Sequence, residues 1–303
     1  MKINVLMSTF NGERYLSEQL DSIAGQTGVE IRLHVRDDGS VDSTCDIIGG
    51  YRNKDIVHEV ERGDNIGFAP SFFRLLASSD DACRYFAFAD QDDWWHPGKL
   101  QAAVAALRQV SDSVPALYCG RLACVDRSLQ PVSLSPLPTR PLALANALVE
   151  NVASGCTIVI NRAARRLLVQ TLPGWCLFHD WWCYLLISAV GRIIYDERPF
   201  IKYRLHGAND TGAPVSFLDG MQRRIRRFAG EDRQTFKVHR QATEFVRQCG
   251  AMLDEADLRL VNTFLDSKRS VGARLRYGLN KEVYRQRFVD DMLLRLLICW
   301  GRY

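Results

Sequence analysis

The sequence predicts an α/β fold in which a mostly parallel sheet is flanked by helices and followed by an all-helical C-terminal extension. Three observations lead to this prediction. Short apolar, β-prone runs alternate with segments of helical periodicity from the first residues onward. Each of the first four runs ends in polar residues, which is typical of strands that reach a ligand-binding edge. Beyond residue 215 the hydrophobic spacing is helical throughout.

The first half of the chain predicts four strand-and-helix units. Apolar, β-prone composition predicts strands at residues 3–7, 31–35, 56–61 and 85–89. Apolar residues spaced by three or four positions predict helices at residues 15–23, 43–51, 68–76 and 97–110. Each parallel strand pair needs a crossover, so this alternation predicts parallel pairing.

The second half gives less regular signals. Residues 116–119 and 155–161 predict strands, with a Pro-rich connector at 131–141 between them and a buried helix at 181–190 afterwards. Further helices are predicted at residues 217–228, 236–252, 254–265, 271–279 and 284–300. We place a domain boundary near residue 215, which gives a catalytic domain of residues 1–215 and a helical, basic region of residues 216–303.

The composition is that of a globular protein. Of 303 residues, 47% are hydrophobic and 24% are charged, which excludes a disordered or fibrous chain. The nine cysteines are odd in number and form no CxxC pair, so neither a zinc module nor a disulfide framework is indicated. We therefore expect a reducing, cytoplasmic location.

Two apolar segments resemble targeting or membrane segments only superficially. The N-terminal run reaches an Asn-Gly turn at Asn11 too early for a signal peptide or a membrane span, so we expect a first strand there. The window 172–191 contains Pro173, His179 and Asp180, so we expect a buried helix that carries functional polar groups.

Polar residues follow all four predicted parallel strands. They are Thr9 and Asn11, Asp37 and Asp38, Asp64 and Asn65, and Asp90 and Asp92. Because the carboxyl ends of parallel strands share one edge of a sheet, we expect these side chains to converge on one ligand site.

The acidic strand ends suggest specific chemistry. Asp90, Asp92 and Asp93 place three carboxylates within four residues, which is costly unless a cation neutralises them. Few carboxylates plus substrate phosphates suit Mg²⁺ or Mn²⁺, although an acidic helix-capping loop is the alternative. Asp37 and Asp38 could accept hydrogen bonds from a pyrimidine base or form a solvated turn. The absence of GxGxxG and P-loop motifs disfavours dinucleotide and P-loop nucleotide binding.

Several motifs occur in a recognisable order. They are STFNGE at 8–13, DDGSVDST at 37–44, NIGF at 65–68, FADQDDWW at 88–95, GCT at 155–157, HDW at 179–181 and YRLHG at 203–207. Together they resemble the family-two glycosyltransferases of GT-A fold over roughly residues 1–212. The acidic motif with HDW is most similar to bacterial rhamnosyltransferases of lipopolysaccharide core and O-antigen assembly.

The resemblance implies roles for individual residues. Asp180 would be the catalytic base, and Asp92 and His206 would hold the metal. Asp90 would contact the ribose and diphosphate side of the donor. The other residues implied to bind the nucleotide sugar are Thr9, Asn11, Glu13, Asp38, Asn65, Gly67 and Gln91.

Asp180 and two tryptophans have further interpretations. Asp180 lies between His179 and Trp181 at the start of an apolar helix, where partial desolvation raises basicity, although a helix N-cap is the alternative role. Trp94 and Trp181 neighbour predicted site residues and could stack on the acceptor sugar, or be core material.

The C-terminal region is basic, with 18 Lys+Arg against 11 Asp+Glu from residue 217 onward. Residues 217–228 form an amphipathic basic pattern that could pack on the catalytic domain, bind anionic lipid as a peripheral membrane anchor, or bind an acidic acceptor. No nucleic-acid-reading module accompanies the charge, so a nucleic-acid partner is not expected.

The sequence thus predicts a metal-dependent, inverting glycosyltransferase. The expected reaction transfers L-rhamnose from dTDP-L-rhamnose to a lipopolysaccharide core or other surface-glycan acceptor. The alternatives are a UDP-hexose or UDP-N-acetylhexosamine donor, and a catalytically silent protein that binds a nucleotide sugar. A nucleotidyltransferase is disfavoured because no basic, Gly-rich phosphate loop follows the first strand.

Overall fold

The computed structural model describes residues 1–54, 56–206 and 234–301. The chain divides into two compact units. The first comprises Met1–Leu137, Ala153–Gln170 and Gly191–Ala213, and the second comprises Pro138–Val152, Thr171–Val190 and Pro214–Tyr303. The predicted boundary near residue 215 and the predicted helix at 217–228 lie outside the described residues.

The first unit is built on a sheet of nine strands. They are β1 Lys2–Thr9, β2 Glu30–Asp37, β3 Val57–Arg62, β4 Tyr85–Ala89, β5 Trp94–Trp95, β6 Ala116–Val125, β7 Pro131–Leu134, β8 Val159–Asn161 and β9 Arg192–Arg204. Their order across the sheet is β3-β2-β1-β4-β8-β6-β9-β5, with β7 paired to β6. The predicted α/β fold is confirmed.

Parallel and antiparallel pairing divide the sheet into two halves. Strands β1 to β4 pair in parallel, as predicted from their crossover helices. Strand β8 is antiparallel to both β4 and β6, while β9 runs parallel to β6. The second half of the sheet is therefore mixed.

Helices of the first unit cover the apolar faces of this sheet. They are α1 Leu16–Ala24, α2 Thr44–Arg52, α3 Phe68–Ser78, α4 Lys99–Leu107 and α6 Arg162–Gln170. The fully buried strand β4 and residues such as Val5, Leu20 and Leu33 form the centre of the core. Burial of these side chains stabilises the sheet that carries the polar loops.

Helices make up the second unit. They are α5 Leu144–Ala147, α7 His179–Val190, α8 Gln234–Cys249, α9 Glu255–Asp266, α10 Val271–Leu279 and α11 Phe288–Cys299. Most side chains of α7 are buried, and the Trp182 ring packs edge-to-face on Phe245 of α8 at a centroid distance of 6.0 Å. Among the described residues, no helix is both long enough and apolar enough to cross a bilayer.

Five elements differ from the sequence prediction, and one of them is the two-residue strand β5. In addition, the strand predicted at 155–161 is a 3₁₀ turn at Gly155–Thr157 followed by the short strand β8. Strand β9 was not predicted, because it carries six charged residues and Pro199 and alternates poorly between buried and exposed positions. The Arg-rich helix α6 and the short helix α5 were also not predicted. Strand β7 occupies the start of the predicted Pro-rich connector, where its four residues are all exposed.

Candidate active site

Strand register brings the predicted polar residues to one edge of the first unit. Thr9 pairs with Asp37, and Met7 pairs with Ala89, the residue before Asp90. Strands β1 and β2 therefore end at the same level and β4 ends two residues earlier, so the loops that follow them lie at one edge of the sheet. This is the edge at which open α/β sheets bind ligands.

Asp37 fixes the turn after β2. Its carboxylate accepts hydrogen bonds from the Thr9 hydroxyl at 3.0 Å and from the Ser40 amide at 2.9 Å. Burial opposes ionisation of Asp37, but the hydrogen bonds from Ser40 and Thr9 outweigh it and lower the pKa. Asp37 is therefore an ionised, structural carboxylate, and Thr9 holds it in place.

Asp38 is only 2% exposed and joins β2 to the loop that precedes α3. Its carboxylate accepts hydrogen bonds from the backbone amides of Ile66 at 3.0 Å and Gly67 at 2.9 Å, and it forms an ion pair with Arg36. Arg36, itself 1% exposed, also donates to the Asp64 carbonyl at 3.1 Å.

Arg36 is a site residue that the sequence analysis missed. An arginine in an amphipathic strand is expected to face solvent. The only sequence signal for a buried ion pair was the acidic pair Asp37 and Asp38 that follows Arg36 directly.

Gly67 and Asn65 shape the same loop. Gly67 has a φ of 88°, in the left-handed region that strains residues with a side chain. The Asn65 carboxamide oxygen accepts a hydrogen bond from the Gly67 amide at 3.0 Å. Both predicted donor-binding residues thus lie in one loop, tied by the carboxylate of Asp38.

The loop after β1 is held by three neighbouring segments. Asn11 has a φ of 47°, and its side-chain oxygen accepts from the Val41 amide at 3.0 Å. The Glu13 carboxylate accepts from the Ser43 amide at 2.9 Å. The Gln91 side-chain oxygen accepts from the Phe10 amide at 2.9 Å, and its side-chain nitrogen donates to the Phe10 carbonyl at 3.0 Å. These contacts bring the predicted residues Asn11, Glu13 and Gln91 to the same edge as Asp38.

The two predicted metal ligands lie next to each other. The Nε2 atom of His206 is 2.8 Å from a carboxylate oxygen of Asp92, although 114 positions separate them along the chain. Their side chains are 14% and 20% exposed, so a ligand can reach both. Ligand atoms in neighbouring positions around Mg²⁺ are about 3 Å apart, given bonds of about 2.1 Å. The 2.8 Å separation is that of a hydrogen bond and also matches two neighbouring ligands of one divalent cation, although the imidazole suits a transition-metal ion better than Mg²⁺.

An aromatic ring and an arginine support His206. The ring of Tyr15 stacks on the imidazole at a centroid distance of 5.5 Å. The guanidinium of Arg204 lies 4.3 Å from the Tyr15 ring, donates to the Asp92 carbonyl at 3.0 Å and pairs with Glu18 at 2.8 Å. These contacts fix the histidine against Asp92. Neither Tyr15 nor Arg204 was predicted as a site residue.

A second set of possible ligands lies deeper. Asp90, Asp93 and Cys156 each offer a ligand atom within 4.8 Å of the others. Burial, then the charges of Asp92 and Asp90, raise the pKa of Asp93 well above its usual value, and burial also raises that of Cys156. A protonated thiol is a poor ligand for Mg²⁺ or Mn²⁺, so this cluster fits such a metal less well than Asp92 with His206.

A buried lysine lies beside this cluster. Lys99 is 1% exposed, and its Nζ atom lies 3.3 Å from the centroid of the Trp95 ring. Burial lowers its pKa to about 7, while Cys156 and Asp93 act in the opposite direction. Lys99 was not predicted as a site residue, because a lysine at the start of a helix is normally exposed.

The two predicted acceptor tryptophans lie in different units. Trp94 is partly exposed on β5, with the Lys202 ammonium 4.7 Å from its ring centroid. Trp181 is 8% exposed in the second unit, and its indole N–H donates to the Ala147 carbonyl at 2.6 Å. The acceptor role of Trp181 therefore requires stacking on its ring rather than a hydrogen bond from its nitrogen.

Asp180 occupies the first turn of α7 in the second unit. One of its carboxylate oxygens accepts from the Trp181 amide at 2.6 Å, and a carboxylate at a helix N-terminus is stabilised by the helix dipole. Burial lowers the pKa of the adjacent His179 to about 3, so this imidazole is neutral at pH 7. Because α7 begins at His179, Asp180 is the second residue of the helix rather than its N-cap, and its role as the base stays a prediction.

The segment before α7 is anchored by α8. The Glu244 carboxylate accepts from the Gly174 amide at 2.7 Å, and the Gln241 side chain accepts from the Leu177 amide at 2.9 Å. A hydrogen bond from Arg247 lowers the pKa of Glu244 to about 2. Asp180 thus follows a segment whose backbone is fixed by ionised and polar side chains.

Known proteins resemble this chain in sequence and fold. The profile described as Glycosyl transferase family 2 matches residues 4–166. The dTDP-rhamnosyl transferase RfbG of Shigella flexneri is 29% identical over 229 residues, covering 70% of this chain and 75% of that protein. The poly(ribitol-phosphate) beta-N-acetylglucosaminyltransferase TarS of Staphylococcus aureus is 34% identical over 107 residues, covering 35% of this chain and 18% of that protein.

A solved structure shows the same architecture. The crystal structure of S. aureus TarS 1-349 in complex with UDP-GlcNAc superposes with a TM-score of 0.63 at 17% sequence identity. The superposition includes 100% of this chain and 87% of the TarS chain. This likeness establishes the arrangement of the sheet and helices, which is the GT-A fold.

Proposed function

The chain belongs to glycosyl transferase family 2, and on this premise we propose that it transfers L-rhamnose from dTDP-L-rhamnose to a lipopolysaccharide core or other surface-glycan acceptor. That it is a glycosyltransferase using a nucleotide-sugar donor follows from the family. The choice of rhamnose is supported by the relative named a dTDP-rhamnosyl transferase, which aligns with 70% of this chain.

The observation that carries the proposed chemistry is the contact between Asp92 and His206. Two residues distant in sequence meet 2.8 Å apart at the edge where the donor is expected. These two side chains would hold Mg²⁺ or Mn²⁺, with Asp90 close by for the ribose and diphosphate side. A divalent cation bound there supplies positive charge that favours departure of the nucleoside diphosphate.

The protein's own residues would position the donor and move one proton. Asp38 orders the loop that contains Asn65 and Gly67, against which the base would bind, and Thr9 orders the adjacent turn through Asp37. Asp180 would accept the proton of the acceptor hydroxyl, whose oxygen attacks the anomeric carbon from the face opposite the diphosphate. One carbon–oxygen bond forms as another breaks, so the configuration inverts. The proposal for Asp180 is supported by its HDW motif.

The donor is tested by binding. Thermal stabilisation is measured with dTDP, UDP, GDP and their sugars, with and without Mn²⁺ or Mg²⁺. Selective, metal-dependent stabilisation by dTDP-rhamnose is the expected result. A preference for UDP-N-acetylglucosamine would favour the second candidate, for which the 34% identical segment of TarS is the supporting observation. Stabilisation unaffected by EDTA would contradict metal dependence.

The base is tested by substitution. Asp180→Asn keeps the size of the side chain but cannot accept the proton, so we expect turnover to fall by about 10² to 10⁴ with donor affinity unchanged. Asp46→Asn is the matched control, because Asp46 also lies in the first turn of a helix and is exposed. Near-normal turnover of Asp180→Asn would exclude this residue as the base, and donor binding without turnover in the unmodified chain would favour a silent binding protein.

A further inference from the structure

Helices α10 and α11 form a hairpin in the second unit, called here the C-terminal hairpin (residues 271–301). The Arg295 side chain donates to the Gly278 carbonyl at 3.4 Å, while the Cys299 sulfur lies 3.8 Å from the Arg274 carbonyl. Higher residue numbers in α11 thus meet lower numbers in α10, so the helices are antiparallel.

The hairpin is fixed to the rest of its unit by polar contacts. Asp291, whose side chain is 9% exposed, pairs with Arg140 at 3.5 Å and with Arg295 at 3.3 Å. The Gln286 side chain accepts from the Thr139 amide at 2.9 Å. The orientation of the hairpin's two faces is therefore determined by buried contacts.

Helix α11 has two apolar faces. One contains Leu294, Leu297 and Ile298, which are at most 8% exposed. The opposite face has an unbroken exposed stripe at a spacing of three to four positions. Its members are Phe288 (77% exposed), Val289, Met292, Leu296 and Trp300 (61%).

Helix α10 continues this pattern. Val271, Leu275 and Leu279 recur every fourth residue and are 63%, 53% and 83% exposed, whereas Tyr277 on the other face is 2% exposed. Because both helices bury the opposite side, the two stripes lie together on the outward side of the hairpin. Eight exposed apolar side chains on one surface form a patch of the kind that marks an interaction site.

Basic residues border this patch. Residues 271–301 carry six Lys+Arg and three Asp+Glu, and since Asp291 pairs with Arg295, five basic and two acidic side chains remain outside that ion pair. Arg276, Lys281 and Arg287 are exposed at or near the stripes. An apolar surface bordered by positive charge is complementary to anionic lipid headgroups above an acyl layer.

We infer that the C-terminal hairpin docks onto the surface of an anionic lipid bilayer, with both helix axes in the plane of the interface. The stripe follows the axis of α11 from Phe288 to Trp300, and exposed aromatic rings at both ends are suited to the headgroup level. A second copy of the chain meeting the same face about a two-fold axis would bring the same basic residues together, which opposes self-association. The residues of this surface are different from those of the donor site and from residues 217–228.

The test is co-sedimentation of the full chain with vesicles. Vesicles of phosphatidylcholine with phosphatidylglycerol are compared with vesicles of phosphatidylcholine alone. The apolar variant combines Phe288→Ser, Leu296→Ser and Trp300→Ser, and the charge variant combines Arg276→Gln, Lys281→Gln and Arg287→Gln. The matched control is Val132→Ser with Leu134→Ser, two exposed apolar residues on β7.

The expected result is binding to the anionic vesicles, weakened by salt and reduced by at least about tenfold in both hairpin variants but not in the control. Unchanged circular dichroism and donor-induced thermal stabilisation verify that the variants are folded.

Three results would overturn the inference. They are equal binding of the unmodified chain to both vesicle types or to neither, loss of binding only when Arg223, Arg224, Arg226 and Arg227 are changed to Gln, and a concentration-dependent dimer that dissociates in the apolar variant without vesicle binding. None of these depends on which sugar donor the protein uses.

Discussion

The carboxyl edge of the sheet and the C-terminal hairpin differ in which groups they bury: the sheet edge buries polar side chains, whereas the hairpin exposes apolar ones. At the sheet edge, Asp37, Asp38 and Arg36 are at most 2% exposed and each has several hydrogen-bond partners. On the hairpin, Phe288 and Leu279 are 77% and 83% exposed. Buried polar groups are costly unless paired, and exposed apolar groups forgo the stabilisation of burial. Both regions thus depart from the simple rule of apolar core and polar surface.

The strongest test of this comparison removes the buried positive charge of Arg36 at the sheet edge. Arg36→Met leaves the Asp38 carboxylate buried without its ion-pair partner, so we expect the free energy of unfolding to fall by about 3–5 kcal/mol. Urea unfolding followed by tryptophan fluorescence measures this loss.

Arg32→Met is the matched control for that test. Arg32 lies on the same strand and pairs with Asp80, but the two side chains are 37% and 43% exposed, so we expect a loss of about 0–1 kcal/mol. Equal losses in the two variants would show that the network around Asp38 is no more tightly coupled than a surface ion pair.

The second test concerns ligand binding at the same edge. His206→Gln removes one of the two proposed metal ligands, so we expect the affinity for Mn²⁺ in the presence of nucleoside diphosphate to fall by at least about tenfold. Calorimetric titration measures this affinity, and the exposed His58→Gln on β3 serves as the control. An unchanged Mn²⁺ affinity would exclude His206 as a ligand.

The third test contrasts the interior of the second unit with its exposed hairpin. The pKa of His179 is lowered from 6.5 to about 3 by burial, so the unfolded chain binds the extra proton first as the pH falls. The stability contribution of the neutral imidazole is complete above pH 6.5 and is lost toward pH 3. Between pH 7.5 and pH 5 we expect His179 to account for a loss of about 2 kcal/mol.

His179→Gln checks this assignment, because glutamine does not titrate in that range. The variant's urea midpoint should depend less on pH than that of the unmodified chain, while the exposed His96→Gln should retain the full dependence. Identical pH dependence in all three proteins would show that His179 is not the residue responsible.

The smallest expected effect is on the hairpin. Leu279→Ala removes a side chain that is 83% exposed, so we expect the free energy of unfolding to change by no more than about 0.5 kcal/mol. Leu294→Ala, at 2% exposure on the buried face of α11, should cost about 2–5 kcal/mol. Thermal unfolding distinguishes them, and a large loss for Leu279→Ala would mean that the outward stripe is covered.

The sequence predicted the first half of the fold well because each element there obeys its simple period. Strand β4 begins and ends at the predicted residues 85 and 89, and Thr9, Asp37 and Asp90 lie at the ends of their strands. Residue type and position relative to a strand end were sufficient to predict these edge residues. The reason is that parallel topology brings the strand ends to one edge irrespective of the conformation of the loops.

The same reasoning failed where tertiary partners override local pattern. Arg36 and Lys99 are buried by an ion pair and by an aromatic ring, respectively, and neither partner is visible from spacing alone. Strand β9 pairs with β6 despite its charged residues. In the predicted helix at 284–300, apolar residues occur on nearly every side, so periodicity could not reveal which face is exposed. The roles of Asp180 and Trp94 remain predictions.

The 114-residue separation of Asp92 and His206 has a consequence for biosynthesis. The first unit is made of three chain segments, and the last of them carries both β9 and His206. A nascent chain can pair β1 to β4 early, but it lacks the histidine, Arg204 and the antiparallel partner of β5 until translation has passed the second unit's first two segments. Since domains fold as units while the chain emerges, the Asp92–His206 pair is completed only late in synthesis.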